Sequence, residues 1–253
     1  MDNKFKNIGV LLLTIALGGC SESAAQHQKS ETITVVTSRT LNSADFIKPT
    51  IVPTTNTERQ ALLNSLNINA DSSIDKRRLA LFVRYTYFAN SQDRQLKTLE
   101  QLVEEIAVMR KTRPDDHELT ALHGSATCLQ AVFFRNNLGR TNLLSKKGSR
   151  YLDRAVKNEP NHLGVRLYRG ITYAEMPAFL GKGRQAVEDF SLIKNAAAPE
   201  TDDKFAAMVD YYYAMALIKD QQKNNGRKLL TSLIGKNIVP WSERAATLIK
   251  DKG

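Results

Sequence analysis

The fold is decided by residues 163–199, which read LGVRLYRGITYAEMPAFLGKGRQAVEDFSLIKNAAAP. Apolar side chains recur every three or four residues on both sides of a short break at 176–181, and this spacing places them on one face of an α-helix. Pro177 lies in the break, and Pro199 follows the second run. Proline ends helices because it has no backbone N–H to donate. The stretch therefore predicts two consecutive helices joined by a short turn.

The same helical spacing continues on both sides of this stretch. After Thr57, which we take as the N-cap of the first helix, apolar residues keep the helical period and no window alternates as a strand does. Three helices precede Pro114, and the remaining ones are predicted at roughly 115–136, 143–158, 162–177, 183–196, 202–220, 224–236 and 241–250. We expect an all-α domain of about ten helices over residues 58–253, long enough to bury a core without disulfides.

Small residues recur at one place in successive helix pairs: Gly124, Gly170 and Ala214. A small residue in the first helix of a pair lets the second helix approach closely, and large apolar residues then fill the space between them. The second helices supply the matching residues, which are Leu152, Ala155, Pro160, Ala186, Phe190 and Leu230. The pattern predicts stacked antiparallel helical hairpins, with a generic helical bundle as the alternative.

This pattern resembles the tetratricopeptide repeat. The separations of 46 and 44 residues between the three small residues exceed the roughly 34 of that repeat. We place about twelve extra residues around 136–147 and about four at 176–181, where we expect the apolar break to close the core rather than rim a pocket. Arg166 and Arg169 also depart from the repeat, which prefers Trp and Leu at these positions.

The resemblance implies a concave surface, lined by the first helix of each pair, that binds protein partners. The candidate partner-binding residues on that surface are Arg166, Arg169, Tyr173, Asp210, Tyr211 and Tyr213. Three consecutive tyrosines, 211–213, cannot all point in one direction on a helix. We therefore expect at least one ring to face away from the core, although all three filling gaps between helices is the alternative.

The N-terminal residues have the order of a secretory signal. Lys4 and Lys6 precede a short apolar run at 8–17, which ends in small residues before Cys20. The run is far shorter than the roughly 20 residues that cross a bilayer. A signal peptide over residues 1–19 is therefore favoured over a membrane span.

The end of this signal resembles the lipobox of bacterial lipoproteins. The resemblance implies that Leu17, Gly18 and Gly19 are recognition residues, and that Cys20 is acylated and becomes the first mature residue. An ordinary secreted protein with Cys20 there by chance is the alternative. Ser21 stands where an inner-membrane retention signal typically has Asp. For a Gram-negative host this predicts an outer-membrane lipoprotein that faces the periplasm.

Residues 20–57 then form a lipidated cysteine and a flexible tether, because they are rich in Ser, Thr, Gln and Asn. The formal charge of +10 falls to +9 when Lys4, Lys6 and Asp2 leave with the signal. Export makes nucleic acid a poor partner for this basic chain. Anionic lipid headgroups, lipopolysaccharide, teichoic acid or acidic proteins remain as partners, and solubility by net charge is the alternative.

No motif for catalysis, cofactor binding or metal binding is recognisable. The four histidines include no HExxH pair, and Cys128 lies in an apolar helical pattern that favours a buried core residue. We expect a non-enzymatic, membrane-anchored envelope scaffold or assembly factor without a cofactor. The alternative resembles the helical-repeat lipoproteins associated with tripartite (TRAP-type) transporters, which implies a small apolar ligand in a central cavity.

Overall fold

The computed structural model describes residues 53–90, 94–197 and 202–251. Within these ranges the chain is all-α, as predicted, with ten α-helices, two 3₁₀ turns and no strand. The helices are α1 (Asn56–Leu66), α2 (Ile74–Asn90), α3 (Leu96–Thr112), α4 (His117–Gln130), α5 (Leu138–Asn158), α6 (Leu163–Glu175), α7 (Gly183–Ala197), α8 (Asp203–Lys219), α9 (Lys223–Lys236) and α10 (Trp241–Asp251).

The helices form two layers of stacked hairpins. Helices α4 and α5, α6 and α7, and α8 and α9 pack as pairs, while α2, α4, α6 and α8 pack side by side as one layer. Helix α1 packs on α2, and α10 covers α8 and α9. Each helix thus buries its apolar stripe against the partner in its pair and against the next pair.

Aromatic rings and hydroxyl groups join the α2–α4–α6 layer. The ring of Tyr168 packs edge-on against Phe82 and Tyr85, with centroids 6.3 and 5.5 Å apart. The Tyr85 hydroxyl bonds to Ser125, which bonds in turn to Thr172. These groups are buried, so the hydrogen bonds satisfy polar atoms that water cannot reach.

Two glycines bring α4 and α5 into backbone contact. A Cβ atom on Gly124 would lie 2.7 Å from the carbonyl oxygen of Gly148. One on Gly148 would lie 2.3 Å from the sulfur of Cys128. Neither position has room for a side chain, and the two helices cross closer here than larger residues would allow.

The next two hairpins also cross at small residues. Gly170 faces the ring of Phe190, 3.1 Å from where its Cβ would lie, and a Cβ on Gly226 would lie 2.8 Å from the carbonyl oxygen of Ala214. The repeat-pattern residues of the second helices lie in the core: Leu152, Ala155, Ala186, Phe190 and Leu230. Pro160 lies in the turn before α6, where its carbonyl accepts a hydrogen bond from Arg166.

Three helices differ from the prediction in their bounds. Helix α4 runs from His117 to Gln130 instead of 115–136, because Asp116 caps its start and a 3₁₀ turn follows its end. Helix α5 begins at Leu138 instead of 143, because the side chain of Asn137 caps it by accepting a hydrogen bond from the Arg140 N–H. Most of the residues predicted as an insertion at 136–147 are therefore the first turns of α5. Helix α1 is capped by Thr55 rather than Thr57, since Thr55 and Glu58 form a reciprocal capping box.

The break between α6 and α7 is only partly in the core. Met176 is buried, but Phe179 is 85% exposed on the 3₁₀ turn Ala178–Leu180. The expectation that this segment closes the core is right for Met176 and wrong for Phe179. The turn between Pro177 and Gly181, where Gly181 has φ 66°, carries the Phe179 ring into solvent.

The predicted lipobox lies outside the described residues, as do Pro199 and most of the predicted tether. In the part of the chain that the structure does describe, no helix combines the length and apolarity needed to span a bilayer.

Candidate partner-binding groove

A groove of about 1040 Å³ opens to solvent between α2 and α3. One stripe of each helix forms a wall, and the loop between α1 and α2 closes one end. The apolar side chains that line it include Ile68, Ile74, Ala80, Leu81, Val108 and Met109. We refer to this cavity as the α2–α3 groove.

The apolar lining runs from a buried floor to an exposed rim. Ala80 and Leu81 are buried at the floor, whereas Ile68 is 41% and Val108 is 52% exposed. Covering such surface with an apolar partner releases water at about 25 cal/mol per Å². Contacts with the exposed rim residues would therefore contribute the most binding free energy to a complex with an apolar partner.

Charged residues of both signs frame the groove. Arg77 and Arg84 lie on the α2 wall, and Glu104 and Glu105 lie on the α3 wall. Arg84 forms a bidentate ion pair with Glu105, in which Nη2 lies 3.1 Å from Oε1. A partner with an apolar face and flanking charges would be oriented by this frame.

The loop that closes the groove is held by Arg77. Its guanidinium donates from Nε to the carbonyl of Ser72 at 3.1 Å, and from Nη2 to the carbonyl of Asn69 at 3.3 Å. These bonds fix the loop against the first turn of α2. The closed end of the groove is thus built from backbone that is already ordered.

The dimensions of the groove suit a helix. Its α3 wall extends from Gln101 to Thr112, which is roughly 16 Å, or three helical turns, at 1.5 Å per residue. Both walls are helices whose backbone groups are already hydrogen-bonded. Recognition must therefore use side chains, as when an amphipathic helix docks in a groove.

Sequence reasoning missed this groove because residues before 112 do not match the repeat pattern. The facing positions carry Arg84, Glu104 and Glu105 instead of a glycine, and such side chains hold α2 and α3 apart. One signal was present in the sequence. Val108 lies on the polar stripe of α3 that also holds Glu104 and Thr112, and an isolated apolar residue on a polar face can mark a contact surface.

Two predicted partner-binding residues, Arg166 and Arg169, are buried between α6 and α7. Arg166 donates from Nη1 to Asp189 at 2.8 Å and to Glu188 at 2.9 Å. Arg169 donates from Nε to Asp189 at 2.7 Å. The expectation that these arginines lie on an exposed concave surface is wrong, because carboxylates on α7 draw both into the hairpin.

Tyr173 is buried next to the same network, so it too is not a surface residue. Its hydroxyl donates to Asp153 on α5 at 2.7 Å, and burial raises its pKa. Asp153 also pairs with Arg169 at 3.5 Å and with Lys182 at 3.4 Å. The network connects α5, α6 and α7 and holds the middle hairpins together.

Asp210 is likewise buried, between lysines of two neighbouring hairpins. It accepts hydrogen bonds from Lys194 on α7 and Lys236 on α9, both at 2.8 Å. Burial opposes the charge of Asp210, but the two lysines outweigh it and lower its pKa. This carboxylate bridges helices instead of facing a partner.

Two of the three tyrosines at 211–213 are half-buried, and the middle one is fully buried. The Tyr211 ring lies 5.7 Å from that of Trp241, and the Tyr213 ring lies 6.4 Å from that of Phe190. Both rings pack partly against the core, in line with the alternative expectation that the tyrosines fill gaps between helices. Each also keeps part of its ring at the surface.

Asp189 is the residue that sequence reasoning overlooked in this region. It shares a helical stripe with Ala186, Phe190 and Ile193, all of which are buried. An acidic residue on such a stripe indicates a buried cation nearby, because an unpaired buried charge is strongly unfavourable. The two arginines one helix earlier were the available partners.

The described residues offer little for catalysis or metal binding. No group of three or more His, Cys, Asp or Glu side chains within them is arranged to hold a metal ion. Cys128 is buried, and burial raises its pKa to about 12. Such a thiol stays protonated and unreactive near neutral pH.

No protein-family model matches the chain, and no curated protein or solved structure matches it either. Function is therefore inferred from the α2–α3 groove and its surroundings.

Proposed function

We propose that the protein is a non-enzymatic, lipid-anchored scaffold of the cell envelope, which binds a helical segment of a protein partner in the α2–α3 groove. The lipid on Cys20 would hold it at the membrane, and the helical-repeat domain would reach the partner from there.

The observation that carries this proposal is the combination of exposed apolar side chains and opposite charges in one groove. Ile68 and Val108 are exposed beside a buried apolar floor. Arg84 on the α2 wall and Glu105 on the α3 wall form an ion pair. An amphipathic helix would place its apolar face on the floor and its charged flanks against the walls.

The alternative function, ligand binding as an accessory subunit of a TRAP-type transporter, has less support. Ligand sites bury most of a small molecule's surface, whereas the α2–α3 groove is open along its length. The interior between α2, α4 and α6 is filled by the packed rings of Phe82, Tyr85 and Tyr168.

The test is site-specific photo-crosslinking in the native host. A photoreactive amino acid would replace Val108 in the groove or, as the control, Ile234, which is an exposed apolar residue on α9. The acylated protein is then extracted in mild detergent, and the crosslinked proteins and bound small molecules are identified by mass spectrometry. A second pair of variants, Val108→Asp and Ile234→Asp, tests whether the captured partner needs the groove.

We expect one envelope protein to crosslink at position 108 and not at 234. Its co-purification should fall at least about tenfold in Val108→Asp, because an unpaired carboxylate would be buried in the interface, and should persist in Ile234→Asp. Equal crosslinking at both positions would contradict the proposal. A retained small molecule without a protein partner would favour the ligand-binding alternative.

A further inference from the structure

A second cavity, of about 280 Å³, lies where the end of α3, the start of α4 and the end of α5 meet. Four of its lining side chains are basic: Arg110, Lys111, His117 and Arg154. None of the described residues that line it is acidic. The nearby Asp116 uses its carboxylate to cap α4, accepting a hydrogen bond from the Leu119 N–H at 2.9 Å.

Arg110 is held in place at the back of this pocket. Its Nη1 donates to Nδ1 of His123 at 2.7 Å, and its guanidinium carbon lies 4.5 Å from the centre of the Tyr151 ring. Burial and the charge of Arg110 lower the pKa of His123 to about 4. His123 is therefore neutral near pH 7 and accepts this bond, which leaves other guanidinium donors for an anion.

The pocket continues into a basic face of α5. Helix α5 carries six cations and a single acid, Asp153, which Tyr173 and Lys182 contact. Four cations lie on one exposed stripe of the helix, at intervals of three and four residues: Lys147, Arg150, Arg154 and Lys157. Within the described residues none of these four forms an ion pair.

An exposed leucine extends the same face toward the start of α5. Leu143 lies one turn before Lys147 on the stripe and is 62% exposed. A row of cations next to exposed apolar side chains is typical of helices that lie on anionic membranes. Nucleic acid or an acidic protein would pair with the cations but would leave Leu143 exposed to water.

We propose that this surface binds an anionic phospholipid membrane, with the phosphate of one headgroup in the pocket formed by Arg110, Lys111, His117 and Arg154. The stripe on α5 would lie against the headgroup layer, and Leu143 would reach its apolar boundary. The pocket and the α2–α3 groove are lined by different residues of α3, Arg110 and Lys111 in the pocket and Met109 and Thr112 in the groove.

The test uses the acylated, full-length mature protein inserted in vesicles of phosphatidylcholine, with or without phosphatidylglycerol. Flotation first confirms that the protein is anchored in both. An amine-acetylating reagent that does not cross membranes then labels exposed lysines, and mass spectrometry gives a rate for each. Lys111 and Lys147 report on the proposed surface, and Lys228, exposed on α9, is the internal control.

We expect labelling of Lys111 and Lys147 to slow at least about threefold when phosphatidylglycerol is present, because anionic surfaces attract basic segments. Lys228 should keep its rate. The double variant Arg150→Gln and Arg154→Gln should lose the protection, while Lys228→Gln, which removes one cation elsewhere, should keep it. Circular dichroism checks that each variant stays helical.

Three outcomes would overturn the inference. The first is an unchanged rate at Lys111 and Lys147 in anchored protein, and the second is equal protection of Lys228. The third is full protection of Lys111 by inorganic phosphate on phosphatidylcholine vesicles, which would assign the pocket to a soluble anion instead of a headgroup. A failure of flotation would instead count against the lipid anchor of the proposed function.

Discussion

Arg169 on α6 holds Asp189 on α7 in a bidentate pair, with Nε 2.7 Å from Oδ2 and Nη2 2.8 Å from Oδ1. Burial opposes the charge of Arg169, but the hydrogen bonds and charge of Asp189 outweigh it and raise the arginine pKa. Arg166 shares the same carboxylate. The central hairpin is thus fastened by a buried ionic contact at the place where the repeat pattern prefers apolar residues.

We expect Asp189→Ala to lower the free energy of unfolding by about 3–5 kcal/mol, because it leaves two buried guanidinium groups without their carboxylate. Urea unfolding followed by circular dichroism measures this. The control is Glu188→Ala one residue earlier, since Glu188 also contacts Arg166 but is 56% exposed. It should cost less than about 1 kcal/mol, and equal costs for the two variants would contradict this account.

Gly148→Ala should destabilise the protein by about 1–3 kcal/mol or more. The added Cβ would lie 2.3 Å from the Cys128 sulfur and 2.5 Å from the carbonyl oxygen of Gly124. Gly235→Ala on α9 is the matched control, because nothing lies within 4 Å of its Cβ position. That control should change the free energy of unfolding by less than about 0.5 kcal/mol, because Gly235 lies in the last turn of α9. Thermal unfolding of both variants gives the comparison, and a neutral Gly148→Ala would show that α4 and α5 cross less closely than described.

The stability that Glu58 contributes should depend on pH. The backbone N–H groups of Thr54 and Thr55 donate to its carboxylate at 2.7 and 3.0 Å, and they lower its pKa from 4.5 to about 2. A lowered pKa means that this contribution is complete above about pH 4.5 and is lost as the pH falls toward 2. The difference in urea midpoint between wild type and Glu58→Gln should therefore shrink over this range. A difference that stays constant down to pH 2 would exclude the lowered pKa.

Acylation should depend on Cys20 and not on Cys128. Growth with an alkyne-bearing palmitate analogue, followed by coupling to a dye, should label the wild type and Cys128→Ala but not Cys20→Ala. Cys128→Ala controls for the loss of a thiol, since Cys128 is the buried free cysteine of the described core. Label retained in Cys20→Ala would refute the lipobox interpretation.

The helix order was predictable because each helix from α4 onward has a clear apolar period and a recognisable start or end. Asp116 and Asp202, for example, cap α4 and α8 through side-chain hydrogen bonds to backbone N–H groups, and carboxylates before an apolar run predict such caps. The start of α5 was less predictable. Its first turns carry few buried residues, so the apolar period there is weak.

The candidate site was not predictable in the same way. Arg166 and Arg169 looked like surface residues because charged side chains usually are, and only the neighbouring α7 reveals the carboxylate that buries them. The α2–α3 groove depends on how far apart two helices stay. That separation also depends on how α2 and α3 each pack on α4, which neither helix reveals by itself.

By itself, the sequence of this protein determined the all-α class, the order of the helices and the small residues at the crossings of the hairpins, such as Gly124 and Gly170. The class and the helix order follow from the apolar period and from helix capping, which act between residues close in the chain. The crossings follow from side-chain volume at matched positions of two paired helices. Only the tertiary structure decided which charges are buried and which cavities are open. Burial and ion pairing depend on what another helix places opposite a side chain, and that is a property of the packed array.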